Sequence, residues 1–256
     1  MSSLYRSILN AQGSSFSSTN SFTFDGNTDY IGIGTNSLGI TSAITVSAWV
    51  KIPTTNTGGG GTNIQEIICE DTTSGGQRNW NMFWRGTGSN YFAWVIHHTD
   101  LSNSRVLTTG ITPNDGNWHH LLATYDGTTN ANGIKLYVDG ALNVQGTAGS
   151  TGINAFASSE PTIGATTGGG AWRFEGNIDE VAVWNSDRNA DALTIYNGGV
   201  PNDLTSLSPV SWWRMGEAAN YSGGQWTLTD QGSGGNDGTS LTIPGPPAQP
   251  STDVPT

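Results

Sequence analysis

The stretch GNWHHLLATYDGTTNANGIKLYVDGALN, residues 116–143, decides the fold. Alternating runs flank Asp126-Gly127 and Asp139-Gly140. Asp-Gly between such runs supplies the positive φ that tight hairpins need, so the stretch reads as antiparallel strands joined by turns. Neighbours on a strand point to opposite faces. His119 and His120 therefore cannot chelate one ion from one strand, and His97 and His98 have the same limitation. A site joining one histidine from each pair stays open, though no spacing rule demands it, and the two aspartates read as turn formers.

Working outward, strand patterns follow one another. SFTFDG (21–26), DYIGIG (29–34) and NIQEIICE (63–70) precede RVLTTG (105–110), PTIGAT (161–166) and FEGNIDEVAVWN (174–185). AITVSAWVKI (43–52) puts Ile44, Val46, Ala48 and Val50 on one face. NWNMFWRG (79–86) and NYFAWVIHH (90–98) bracket TGS as a hairpin. One helix is predicted in SDRNADALTIYNGG (186–199), capped by Ser186 or Asp187, with Ala192, Ile195 and Tyr196 as its apolar stripe and Gly198 as its stop. The pattern predicts an all-β antiparallel two-sheet sandwich of jelly-roll type. Residues 1–20 read as an N-terminal arm and 21–200 as the jelly roll. Residues 201–256 read as an irregular C-terminal extension, packed by Trp212, Trp213, Met215 and Trp226 and ending in a Pro-rich tail from Pro244.

Composition agrees. Charged residues are 11% of the 256, against about a quarter in ordinary domains. The 36 glycines and 10 tryptophans suit short strands and tight turns. A net charge of −11 repels phosphate backbones, which argues against nucleic acid and leaves neutral glycans, cations or basic proteins as partners. Cys69 stands alone, so no internal disulfide or thiolate zinc site forms, and it reads as a buried thiol. The opening residues lack the apolar run of ~7–15 of a secretory leader, and no stretch approaches the ~18 that span a bilayer. Synthesis in a cytoplasm without membrane insertion is expected, with any exit by assembly or lysis.

Four blocks carry a resemblance: FTFDGNTDYIGIG, AITVSAWVK, GNWHHLLATYDG…GIKLYVDGALN and IGA…FEGNIDEVAVWN. In order and spacing they resemble the concanavalin A-like lectin/glucanase superfamily, and more narrowly its laminin G-like and pentraxin-like jelly rolls. The resemblance implies that Trp118 enters the core. YNGGVPNDLTSLSPVSWWRMGE (196–217) resembles segments that follow such jelly rolls in structural proteins of tailed phages. It implies a non-enzymatic virion surface protein, a homo-oligomer that contacts other virion structural proteins or host cell-surface polysaccharide. A free-standing carbohydrate-binding lectin is the alternative, and a glycoside hydrolase or lyase with an atypical site is a third.

Laminarinase-type hydrolases of the superfamily alternate two glutamates and an aspartate along one strand. The nearest acids here are Glu175, Asp179 and Glu180, the last two adjacent and so expected to face opposite ways, and no Glu-x-Asp-x-x-Glu occurs. Catalysis is therefore not expected. Calcium takes carboxylate and carbonyl oxygens. Asp25, Asn27 and Asp29 offer such oxygens at alternate positions, and the resemblance lays GNIDEV beside the first strand, so Asp179 is expected to complete a calcium site. Sugars need aromatic planes with polar forks. The candidates are Trp80, Trp84, Tyr91 and Trp94 with Arg85 and Asn79, framed by the loops 55–62 and 166–172 with Trp172 exposed. Trp80, Met82 and Trp84 share one face, which favours the core for that face.

Overall fold

In the computed structural model, the alternating runs close into two stacked antiparallel sheets. The structure describes residues 16–34, 36–56, 63–72, 77–86, 88–156, 159–240 and 249–256. Most of the predicted arm (1–15), most of the loop 55–62 and the start of the Pro-rich tail (244–248) lie outside the described residues.

Seventeen strands occur among the described residues. They are β1 (Ser21–Asp25), β2 (Ile31–Ile33), β3 (Ile44–Lys51), β4 (Ile64–Asp71), β5 (Arg78–Arg85) and β6 (Tyr91–His97). Next come β7 (Asn103–Leu107), β8 (Trp118–Tyr125), β9 (Ile134–Val138), β10 (Ala141–Gly146), β11 (Thr162–Ile163) and β12 (Glu175–Trp184). The last are β13 (Ser211–Trp213), β14 (Ala219–Ser222), β15 (Gln225–Leu228), β16 (Gly238–Ser240) and β17 (Gln249–Ser251). The first sheet runs β10-β9-β8-β3-β12-β1-β17 with β13 beside β12, and the second runs β14-β15-β16-β2-β11-β4-β5-β6-β7.

Period-two alternation sets which side chains meet between the sheets. Ile44, Val46, Ala48 and Val50 of β3 pack there, as do Leu121, Ala123 and Tyr125 of β8. The second sheet sends in Trp80, Met82 and Trp84 from β5 and Phe92, Trp94 and Ile96 from β6. The Trp94 Nε1–H donates across the gap to the Thr124 carbonyl, 3.2 Å away, so the buried indole keeps a polar partner. This parity moves Trp118 out of its expected place. With Leu121, Ala123 and Tyr125 inward, Trp118 points away from the core, is half-buried, and donates its Nε1–H to Asp253 at 2.9 Å. His119 takes the inward parity instead and meets the Phe92 ring.

The Asp139-Gly140 turn has φ values of 51° and 75°, the paired left-handed geometry of a two-residue hairpin. A side chain at Gly140 would strike the Tyr196 ring at 2.5 Å, so glycine also lets the helix approach. That helix, α1 (Ala192–Tyr196), is shorter than predicted. Its N-cap is Asp191 rather than Ser186 or Asp187, since a short helical turn precedes it, and Asn197 already turns left-handed at φ 51°, one residue before Gly198.

Residues 201–256 complete the sandwich. β13 and β17 extend the first sheet, and β14, β15 and β16 extend the second. Helix α1 and Leu204 cover the outer side of the first sheet, where Leu122, Tyr137, Ala182, Trp184 and Trp212 form a second apolar cluster joined by Phe16. The outer side of the second sheet has only a small cluster around Phe83, Ala93 and Val95. Among the described residues the first face carries the larger apolar cover, and the second, called the open face below, carries this smaller buried cluster.

Trp213 is fully buried in the main core, with its Nε1–H on the Asn236 carbonyl at 2.7 Å. Trp213→Ala is expected to lower the unfolding free energy by about 3–5 kcal/mol, measured by urea denaturation; a loss near zero would show that the extension is not part of the cooperative unit.

Candidate functional site on the open sheet face

β4, β5, β6 and β7 lie side by side at the open end of the second sheet. Their outward residues make the floor of a cup of about 200 Å³, lined by Ile64, Arg78, Asn81, Phe83, Val95, His97, Asn103, Arg105 and Trp172. Register explains the grouping: Asn81 pairs with Val95, Val95 with Arg105, and His97 with Asn103. Trp172 arrives from the loop before β12. Its carbonyl accepts the Glu66 N–H at 2.8 Å, which fixes the loop to β4, and its φ of 54° is left-handed. Bulky residues rarely adopt that conformation, and such strain gathers at functional sites.

Acids sit beneath the cup. Asn81 donates to Glu66 Oε1 at 2.9 Å, while Glu66 Oε2 and Asn81 Oδ1 have no hydrogen-bond partner among the described residues. Burial, reinforced by the nearby Asp71 carboxyl, holds the Glu66 pKa well above the usual carboxylate range. Burial also lifts Asp71 to about 7 against the opposing pull of Arg78. Arg78 Nε stands 3.4 Å from Asp71 Oδ1, without hydrogen-bond geometry. His97 Nε2 is 4.0 Å from Asp71 Oδ2. Burial, then the charge of Arg78, lowers His97 to about 4, so that contact is not an ion pair at neutral pH.

Strand bulges build this floor. Register shifts fall between Glu66 and Ile68 and between Glu70 and Asp71. Each re-aims a side chain, so simple alternation along IQEIICED does not place these acids. The available signal is the presence of Glu66, Glu70 and Asp71 in an otherwise apolar strand, since buried carboxylates need a reason. Arg78, Asn81, Phe83, Val95, His97, Asn103 and Arg105 are not singled out as ligand contacts by the sequence. The cup joins them from three strands.

Of the predicted sugar contacts, Trp172 lines the cup. Arg85 and Tyr91 share the open face and touch each other, with the guanidinium 3.4 Å from the phenol oxygen. Trp80 and Trp84, fully buried between the sheets, face away from it. Trp94 does the same. Asn79 is buried against Glu70.

Of the predicted calcium ligands, Asp25 and Asp29 stay together in one loop and Asp179 stands apart from them. Asp25 accepts the N–H groups of Asn27, Thr28 and Asp29 and the Thr28 hydroxyl. Asp29 accepts the Asp25 N–H at 3.1 Å. Asp25 pairs with Glu175, so Asp179 lies four residues on, roughly 13 Å along the strand at about 3.3 Å per residue. Asp179 joins another group, its carboxylate accepting the Ser18 hydroxyl at 2.7 Å. A bulge follows it, with Glu180 at φ 46°. Contrary to the expectation that adjacent acids diverge, carboxylate oxygens of Asp179, Glu180 and Glu217 lie within 4.8 Å of one another. Trp212 and Arg214 donate to Glu180, and the backbone of Thr19 and Asn20 to Glu217. These contacts close the cluster over and tie down the chain entering β1.

A larger cavity of about 500 Å³ lies where the described chain ends meet, lined by Phe16, Ser18, Val200, Pro201, Pro255 and neighbours. It presents no ionisable side chain. The smaller cup has aromatic, amide, imidazole and guanidinium groups converging on one space, the mark of a ligand site.

Comparison with known proteins follows the same lines. Residues 25–194 match a laminin G family model described as the concanavalin A-like lectin/glucanases superfamily, and the chain belongs to that family. No curated protein matches the chain. Among solved structures it is similar to a protein from Bacteroides ovatus inferred to bind carbohydrate, with TM-score 0.65 and 21% identity over 94% of this chain. The chain spans 62% of that protein's length. It is also similar to the Ruminococcus gnavus IT-sialidase CBM40 bound to α2,3-sialyllactose, with TM-score 0.50, 12% identity, and coverage of 71% of this chain and 100% of that one. These likenesses establish the fold. Among the described residues, no helix is long and apolar enough to cross a membrane.

The buried acids set a pH dependence. A carboxyl raised from 3.8 to about 7 prefers its proton when folded. Its stabilisation is complete below 3.8 and lost as the pH climbs through 7. His97, lowered from 6.5 to about 4, acts oppositely, but only below about 6.5. Between pH 6.5 and 8 the melting temperature is expected to fall, and Asp71→Asn to flatten that fall. An unchanged slope in differential scanning calorimetry would show that Asp71 does not titrate there.

Proposed function

We propose that this chain is a carbohydrate-binding protein that takes a sugar residue into the cup on its open sheet face. The observation that carries this reading is the pairing of Trp172 with converging polar groups in one shallow cup. A ring face offers a plane for the apolar side of a sugar. Asn81, Asn103, His97 and the two arginines offer donors and acceptors for hydroxyls. The volume is below the ~300 Å³ of typical drug-sized sites, which suits a single residue of a longer glycan lying across the sheet.

A virion surface protein and a free-standing lectin would use the same cup, and the free-standing lectin is the simpler reading. The genes beside this one separate them: capsid and tail genes favour the virion, polysaccharide-utilisation genes the lectin. A second, enzymatic reading draws on one observation, the two carboxyls Glu66 and Asp71 beneath the cup with pKa values raised by burial. Raised carboxyls are the usual general acids of glycoside cleavage. Release of reducing ends from a glycan, lost in Glu66→Gln, would favour that reading over binding alone.

A broad glycan array, run with calcium and again with chelator, tests the main reading. Selective binding is expected in both conditions. Trp172→Ala is expected to weaken it by roughly tenfold, equivalent to about 1.4 kcal/mol, with the melting temperature held. Absence of binding in both conditions would sink the proposal. Loss with chelator alone would move the site to a metal.

A further inference from the structure

We propose that the sugar taken by this cup is an anionic one, carrying a carboxylate or a sulfate ester, with Arg105 and Arg78 receiving the anion. This rests on the cup being the glycan site.

The distribution of charge is the first argument. The chain has 9 lysines and arginines against 20 aspartates and glutamates. Four of the eight described cations are engaged away from the cup. Lys51 pairs with Asp253, Arg188 with Asp191 and Arg214 with Glu180. Arg173 donates to the carbonyls of Thr28 and Gly169 and lies over Tyr30. Yet Arg78, Arg85 and Arg105 all stand on β5 and β7, on the open side of one sheet, and two of them line one cup. An acidic protein that gathers its arginines at a concave site attracts negative ligands there while repelling them elsewhere.

The second argument is the state of those arginines. Arg105 is exposed at the rim and has no acidic partner among the described residues. Arg78 has one, Asp71, held at 3.4 Å without hydrogen-bond geometry. Its guanidinium also lies over the Trp172 ring, 6.0 Å from the ring centre, which holds the fork at the aromatic wall of the cup. A guanidinium presents a rigid fork that matches carboxylate and sulfate oxygens.

The third argument concerns the opposing charge. The groups facing Asp71 are Glu66 and Cys69 on its own strand, Arg78 on β5 and His97 on β6. Burial disfavours the charged forms of Glu66 and Cys69, and His97 is neutral near pH 6. Asp71 loses its charge below about 7. In mild acid Asp71 therefore no longer competes for Arg78. As the pH rises, Asp71 recovers its charge and competes for Arg78.

Isothermal titration of the full chain with polygalacturonate, dextran sulfate and neutral laminarin tests the inference. Lys135→Gln, on the other sheet, is the charge control. Polygalacturonate or dextran sulfate is expected to bind, and which of them binds distinguishes carboxylate from sulfate. Arg105→Gln is expected to weaken that binding by roughly tenfold or more, Lys135→Gln to leave it unchanged, and affinity to be higher at pH 6 than at pH 8. Binding of laminarin alone, sensitive to Trp172→Ala, would overturn the anionic assignment and leave the cup as a neutral-sugar site. Acidic binding equally weakened by both charge variants, or untouched by Arg105→Gln, would mark non-specific attraction or another surface and overturn it too. No binding to any of the three, with none on the glycan array, would overturn both readings.

Discussion

The first sheet is apolar on both sides. Its inner face packs against the second sheet, and its outer face carries Leu122, Ala182, Trp184 and the half-buried plane of Trp118. Water cannot be left against so much hydrocarbon at little cost, since each fully buried large side chain is worth about 1.5–3 kcal/mol relative to exposure. Helix α1, the 197–207 segment and Phe16 supply the cover. Trp49 stacks on Tyr196 at 5.8 Å between ring centres, and the Phe16 ring stacks on Trp212 at the same distance. On the opposite face of the sandwich the described residues form a smaller buried cluster around Phe83, Ala93 and Val95, and the cup lies over it.

Charge is arranged with the same economy. Two groups of buried carboxyls bear the comparison, Glu66 with Asp71 beneath the cup and Asp179 with Glu180 beside Glu217, and burial disfavours ionisation of both pairs. The two places differ in access. The second group is closed by Ser18, the 19–20 backbone, Trp212 and Arg214, which give partners to all its carboxyl oxygens but Glu217 Oε2. Beneath the cup, oxygens of Glu66, Asp71 and Asn81 lack hydrogen-bond partners among the described residues. Unsatisfied buried oxygens are costly, so the sheet beneath the cup carries an expense that the closed group largely avoids.

Much of the sandwich was legible in the sequence because strand parity is local. HLLATY and WNMFWR show their inward residues by alternation, and the Asp-Gly turns announce their hairpins. Parity failed where a bulge intervened. Asp179 and Glu180 should have diverged, but the left-handed Glu180 brings them together. The same cause hid Glu66 and Asp71. For Trp118 the resemblance implies the core, whereas the parity set by Leu121, Ala123 and Tyr125 turns it outward. The cup was legible only at Trp172, with Arg85 and Tyr91 beside it. Its other walls are distributed over β4 to β7, and sequence proximity carries no trace of that convergence. The extension looked irregular because its five strands are three or four residues long, too short for a period to register.

The described ends of the chain share one corner. β17 pairs with β1, the Ser21 hydroxyl donates to the Asp253 carbonyl, and Phe16 and Thr256 line the same cavity. That corner belongs to the covered sheet, on the opposite side of the sandwich from Trp172 and Arg105. A tether attached there, whether a fused protein, a fluorophore or a bead, would leave the open face pointing outward. Copies arrayed on a common support would then present their cups in parallel, and weak contacts to a repeating polymer would combine through effective concentration rather than through tighter individual grip.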